Sequence, residues 1–245
     1  MRLSMDFSYG VSVGAVERLA RTILAAAVGA MVTISATALA ETASVKDTKP
    51  IKLAVLGDSL TAGYGLPASA AFPVRLQKAL KDKGIETDIV NAGVSGDTTS
   101  GGRDRLDWSI PQGTEAVIVE LGANDALRGI DPKVSRAALD DILKKLKARK
   151  IAVLLCGIYA PPNYGADYAS KFNSIYPDLA KAYNVPLYPF FLEGIVGEAK
   201  LNQSDGLHPT AEGVDAVVKR ILPTVEAFLK GIRESASGTV TEKRG

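Results

Sequence analysis

Five short apolar runs recur along the chain after its first fifty residues, at 51–56, 87–90, 116–121, 151–158 and 185–190. The third and fourth are nearly unbroken in valine, isoleucine and leucine, the pattern of parallel strands covered on both faces. Between the runs, segments 72–83, 132–147, 167–183 and 209–229 repeat apolar residues at three- and four-residue spacing. Ala138, Ile142, Leu143 and Leu146 form one such stripe, and the spacing predicts amphipathic helices. Asp131-Pro132 and His208-Pro209 reinforce two helix starts, because a proline in the first turn gives up an N–H that has no intrahelical acceptor. Strand alternating with helix predicts an α/β fold, a three-layer α/β/α sandwich with right-handed crossovers. Neither a β-sandwich nor a helix bundle produces this order.

Ahead of these elements, residues 22–40 carry no charge, come after Arg18 and Arg21, and end in Ala38-Leu39-Ala40. Small residues at those last positions match a signal-peptidase site, so 1–40 is expected to be a signal peptide cut after Ala40 and the remainder to be periplasmic or secreted. An uncleaved membrane anchor is the competing reading, since the segment is nearly long enough to span a bilayer. Its alanine-rich, weakly apolar character favours cleavage, and the absence of a cysteine directly after the cut argues against a lipid anchor. Residues 41–245 then read as a single domain with an ordered core at about 51–230. The length suits one hydrophobic core, and no repeat or linker divides it. Residues 233–245, rich in small, polar and charged side chains, read as a frayed tail.

Charge narrows the partners. Lys plus Arg (29) nearly balances Asp plus Glu (27) for a net +2, with no block of like charges, so nucleic acid is not an expected partner. One cysteine, Cys156, and one histidine, His208, are too few for a typical zinc or haem site, and no calcium-loop spacing occurs; neither metal nor cofactor is expected. Cys156 lies within the fourth apolar run and reads as a small core residue.

Ligands of open α/β sheets bind beyond the carboxyl ends of the strands, so the residues just past each run are the candidates for chemistry. Gly57-Asp58-Ser59-Leu60 stands after the first run, Asn91-Ala92-Gly93 after the second, Gly122-Ala123-Asn124-Asp125 after the third, and Asp205-Gly206-Leu207-His208 beyond the fifth. A serine hydroxyl becomes a nucleophile only when a base takes its proton, and the chain offers one imidazole. Asp205 stands three residues before His208 and could orient that ring. Gly93, through its backbone N–H, and Asn124, through its amide, could donate to an oxyanion. Taken singly, each has a plainer explanation: Ser59 as a helix cap, Asp205 as a cap for the helix at Pro209, Gly93 and Asn124 as turn residues.

Together, the Ser, Gly, Asn and His blocks resemble those of the SGNH, or GDSL, hydrolase family. Gly57-Asp58-Ser59-Leu60-Thr61-Ala62-Gly63-Tyr64, Glu120-Leu121-Gly122-Ala123-Asn124-Asp125 and Asp205-Gly206-Leu207-His208-Pro209 look like its secreted bacterial thioesterase, lysophospholipase and arylesterase branch. The resemblance implies a flavodoxin-like five-stranded parallel sheet in order 2-1-3-4-5. It also implies cofactor-free hydrolysis of acyl esters and thioesters, with Ser59, Asp205 and His208 catalytic and Ser59, Gly93 and Asn124 forming the oxyanion hole. The expected partner is a small acyl substrate, handled by a monomer. Ala160, Pro161 and Tyr164, in the loop after the fourth run, are expected to wall an acyl groove. A carbohydrate acetylesterase of the same family shares these residues and is the enzymatic alternative. A non-catalytic binding module would need no such set. No Gly-x-Ser-x-Gly elbow and no dinucleotide or P-loop glycine motif occurs.

Overall fold

The computed structural model describes residues 49–242, so the expected signal peptide lies outside the described residues. Strands β1 (Ile51–Gly57), β2 (Thr87–Gly93), β3 (Ala116–Glu120), β4 (Ala152–Cys156) and β5 (Leu187–Tyr188) form one sheet. All pairs are parallel, in the order β2-β1-β3-β4-β5. Every residue of β3 is buried, as are Val153 to Cys156 of β4, which accounts for their continuous apolar character. Cys156 is a core residue with no exposed surface.

Nine α-helices belong to the described residues: α1 (Ser59–Ala62), α2 (Phe72–Asp82), α3 (Thr99–Asp104), α4 (Leu106–Ser109), α5 (Ala123–Leu127), α6 (Pro132–Ala148), α7 (Gly165–Asn173), α8 (Ile175–Tyr183) and α9 (Ala211–Glu242). Helices α2 and α9 pack together, while α6 packs with α3 and α8. Right-handed crossovers require this division: the chain steps outward from β1 to β2, then crosses back over β1 to β3 and continues the other way. The buried stripe on α6, Ala138, Leu139, Ile142, Leu143 and Leu146, faces the sheet core.

Several expected boundaries move for local reasons. Strand β5 is cut to two residues because Pro186 and Pro189 flank it and neither can donate to a ladder. The single helix expected at 167–183 is two helices, since Pro177 cannot bond the Asn173 carbonyl and its ring crowds that oxygen; α7 ends there. The helix expected from Pro209 begins at Ala211, where the Thr210 hydroxyl accepts from Gly213 N–H at 3.1 Å. At its other end α9 runs to Glu242, and Ile232 packs on the core. Short helices α1, α3, α4 and α5 carry too few residues to show periodicity.

Candidate active site

The sheet order reverses between β1 and β3, the switch point beyond whose strand ends open α/β sheets bind their ligands. Ser59 leaves the end of β1 as the first residue of α1. Asp58 caps that helix, its Oδ1 accepting from Leu60 N–H at 3.0 Å, so the Ser59 hydroxyl is not used as a cap. His208 Nε2 lies 2.9 Å from Ser59 Oγ, and His208 Nδ1 lies 2.6 Å from Asp205 Oδ2. Asp205 caps no helix either. Its Oδ1 accepts from the backbone N–H of Leu207 at 2.9 Å and of His208 at 3.0 Å. These bonds, that of the His208 backbone foremost, hold the Asp205 carboxyl down at about 2. An ionised carboxylate at Nδ1 keeps the proton on that nitrogen, leaving Nε2 to accept from the Ser59 hydroxyl.

Asn124, on α5 at the end of β3, donates from Nδ2 to Asp58 Oδ2 at 3.2 Å. Asp58 therefore links the nucleophile turn to the asparagine, a role its place in the sequence does not reveal. Its neighbour in the site, Asp125, is buried and explained by packing: Oδ1 accepts from the hydroxyls of Thr99 (2.6 Å) and Ser135 (2.7 Å), and Oδ2 from Thr99 N–H (2.8 Å). One carboxylate thus ties α5 to α3 and α6. Gly93 ends β2 against α1, and a Cβ there would stand 2.5 Å from Ala62 N, which excludes every side chain. Its N–H donates to Asn91 Oδ1 at 3.0 Å.

Two buried groups brace the strand ends from below. Arg105, 6% exposed, pairs with Asp97 and donates to the carbonyls of Gly57 and Ala92, each at 2.8 Å. It thereby holds the last turns of β1 and β2 together. Glu120 is fully buried; its Oε2 accepts from the Thr61 hydroxyl at 2.7 Å and its Oε1 has no hydrogen-bond partner. Burial and then the nearby Asp58 carboxylate push the Glu120 carboxyl well above its usual range. Burial also raises Asp58, to about 6, against the opposing bonds from Leu60 and Asn124. At Glu120 the bonds from the Thr61 hydroxyl and from the backbones of Asp58 and Thr61 oppose the rise without cancelling it. Neither Glu120 nor Arg105 announces itself in the sequence, since nothing local marks a charged residue as buried.

A pocket of about 460 Å³ opens from Ser59, Asn124 and His208. Its walls are mostly apolar and include Leu127, Ala160, Pro161, Pro162, Phe190 and Val196. Tyr159 stacks on Phe190 with ring centroids 4.5 Å apart. Ala160 and Pro161, expected to wall a groove, are among the pocket-lining residues, and Ala160 N–H is fixed by Asn173 Oδ1 at 2.8 Å, an acceptor at the end of α7. Tyr164 does not line the pocket. Its hydroxyl donates to the Leu127 carbonyl at 2.9 Å and its ring packs on Tyr168 and against Gly129, which sets it on the turn at 127–129. Among the described residues no cluster of three or more His, Cys, Asp or Glu could hold a metal ion.

A serine hydroxyl, an imidazole and a carboxylate in relay at the carboxyl edge of a flavodoxin-like sheet define a serine hydrolase of the α/β class. The model of the GDSL-like Lipase/Acylhydrolase family matches residues 55–216. The chain is 43% identical over 162 residues to an arylesterase of Vibrio mimicus, covering 66% of this chain and 81% of that one. It is 42% identical over 178 residues to the thioesterase 1/protease 1/lysophospholipase L1 of Escherichia coli strain K12, covering 71% and 84%. The crystal structure of AlinE4, an SGNH-hydrolase family esterase, matches with a TM-score of 0.63 and 45% identity over 74% of this chain and 97% of that one. The chain belongs to the GDSL-like lipase/acylhydrolase, or SGNH hydrolase, family.

Proposed function

We propose that the protein hydrolyses acyl esters and thioesters through an acyl-enzyme formed on Ser59. The observation that carries this reading is the relay Ser59–His208–Asp205, continuous at 2.9 and 2.6 Å. In the first half-reaction Ser59 Oγ bonds to the substrate carbonyl carbon while His208 Nε2 takes its proton. The C–O or C–S bond to the leaving group then breaks, and the imidazolium returns that proton to the departing oxygen or sulfur. Water repeats the sequence, losing its proton to His208 as it attacks the acyl-enzyme, and Ser59 is regenerated. The charge that develops on the carbonyl oxygen meets the second amide hydrogen of Asn124 and the Ser59 N–H, which has no intrahelical partner at the start of α1. Gly93 N–H completes the set once Asn91 Oδ1 releases it.

Labelling with a serine-reactive phosphonate tests the assignment. One equivalent should attach to Ser59, and Ser59→Ala should abolish both labelling and hydrolysis while remaining folded; a tenth of wild-type kcat in that variant would refute it. The apolar pocket supports acyl groups longer than acetyl, since each buried methylene contributes about 0.8 kcal/mol. On p-nitrophenyl esters from acetate to dodecanoate, kcat/KM should rise beyond acetate before declining, with a medium-chain acyl thioester also turned over. Best activity on an acetylated sugar would count against this substrate class.

The uncharged segment 22–40 and its Ala38-Leu39-Ala40 ending support export with removal of the leader. The exported protein should begin at Glu41 by N-terminal sequencing. Among the described residues no helix is long and apolar enough to cross a membrane.

A further inference from the structure

The serine and the histidine of this site lie 149 residues apart in the chain, on segments that meet along a narrow front. Residues 201–210 form a closed loop around His208. Gln203 N–H donates to the His208 carbonyl at 2.7 Å, Gly206 N–H to the Gln203 carbonyl at 2.9 Å, and Asn202 bridges Pro209. The Gln203 side chain reaches out of that loop: its Nε2 donates to the Pro209 carbonyl at 2.9 Å and to the Tyr64 carbonyl at 2.8 Å. Both partners are carbonyl oxygens, so only the nitrogen end of the amide can face them.

Tyr64 in turn is one hydrogen bond from the nucleophile, its N–H donating to the Ser59 carbonyl at 3.1 Å. Its ring lies against the imidazole of His208, centroids 4.6 Å apart. Gly65 comes next with φ +72°, and a Cβ there would collide with Gln203 Oε1, so the glycine is what lets the amide lie flat on the turn. Among the described residues, the only hydrogen bonds joining segment 59–66 to segment 201–210 are the Gln203–Tyr64 bond and the Ser59–His208 bond itself.

We propose that Gln203 is a positioning residue of this site: it clamps the His208 loop to the nucleophile turn and so sets the separation of Ser59 Oγ and His208 Nε2. The proposal rests on the hydrolytic reading above. Gln203 touches no reacting atom and acts through the two backbones it joins. A shift of about 1 Å in a reacting pair can cost on the order of 10²-fold in rate, so a loose clamp should appear in kcat. The Asp205–His208 contact should survive its loss, because the backbone bonds that hold Asp205 come from Leu207 and His208 within the loop.

The test compares wild type, Ser59→Ala, Gln203→Met and Gln203→Asn on a p-nitrophenyl ester. Methionine keeps the length and removes both donors; asparagine keeps the amide but is too short to reach both carbonyls. Relative to wild type, kcat should fall about tenfold or more in Gln203→Met and less in Gln203→Asn, with KM within about twofold in both. With a single histidine in the chain, nitrogen NMR of the imidazole reads one ring, and its Nδ1 proton should stay bonded to Asp205 in both variants. If Ser59→Ala is inactive but Gln203→Met keeps more than half of the wild-type kcat, the clamp is refuted and the hydrolase reading stands. A kcat loss that only tracks the folded fraction seen by circular dichroism also overturns it. Activity persisting in Ser59→Ala removes the hydrolytic reading, and this proposal with it.

Discussion

Asn124 commits one amide hydrogen to Asp58 and lines the pocket beside Ser59. In the proposed oxyanion role, a neutral side chain held by Asp58 would donate its remaining hydrogen to the charge that develops during reaction. Asn124→Ala should therefore lower kcat by on the order of 10² to 10³ with KM nearly unchanged, as measured by steady-state kinetics on a soluble ester. A loss confined to KM would make it a ground-state contact instead. The same residue shows what the sequence carried. Ser59, Asn124, Asp205 and His208 were legible because each stands in a compact block after a strand or at a loop, whereas Asp58, though inside a block, shows its connecting role only through contacts across 66 residues.

At the scale of elements, the site depends on where β1 and β2 end relative to each other, and Arg105 holds those ends. Its guanidinium meets two backbone carbonyls in the sheet's last turn, and the Asp97 carboxylate balances its charge. Arg105→Met would leave Asp97, whose side chain is 20% exposed, without its cation, and both carbonyls short of a donor. Breaking a buried pair in this way costs about 3–5 kcal/mol, which urea denaturation monitored by circular dichroism should resolve. Unchanged stability would mean that water replaces the guanidinium at the strand ends. Helix α7 shows the same dependence in reverse: the proline that ends it leaves Asn173 at its terminus, and that side chain fixes Ala160 in the pocket wall.

At the scale of the whole molecule, the buried carboxyl Glu120 couples stability to pH. Its ordinary value is 4.5 and the folded value lies well above it, so the native state keeps a proton that the unfolded chain releases. Its stabilising contribution is thus complete below about pH 4.5 and is lost as pH rises towards the folded value, at no more than about 1.4 kcal/mol per pH unit. Asp58, raised from 3.8 to about 6, acts in the same direction between those values. Asp205 acts in the opposite sense, but only as pH falls from 3.8 to about 2, and from an exposed position. Glu120→Gln keeps the shape of the neutral acid without the titration. Its Tm should decline less than that of wild type between pH 4.5 and 8 in calorimetry; parallel curves would place an ionised carboxylate at this site.

By itself the sequence determined the alternation of strand and helix, the burial of β3 and β4, the absence of a charge pattern suited to nucleic acid, and the blocks holding Ser59, Gly93, Asn124, Asp205 and His208. All of these rest on local spacing, which a linear chain displays directly. The tertiary structure decided which plain explanation failed: Asp58 caps α1 in place of Ser59, and Thr210 caps α9 in place of Asp205, so hydroxyl and carboxylate are left to the imidazole. It also decided that Tyr164 bonds the Leu127 carbonyl while Phe190, Leu127 and Val196 line the pocket, and that Glu120 and Arg105 are buried near the strand ends. These residues act through contacts between distant segments, and no short window of sequence contains both partners.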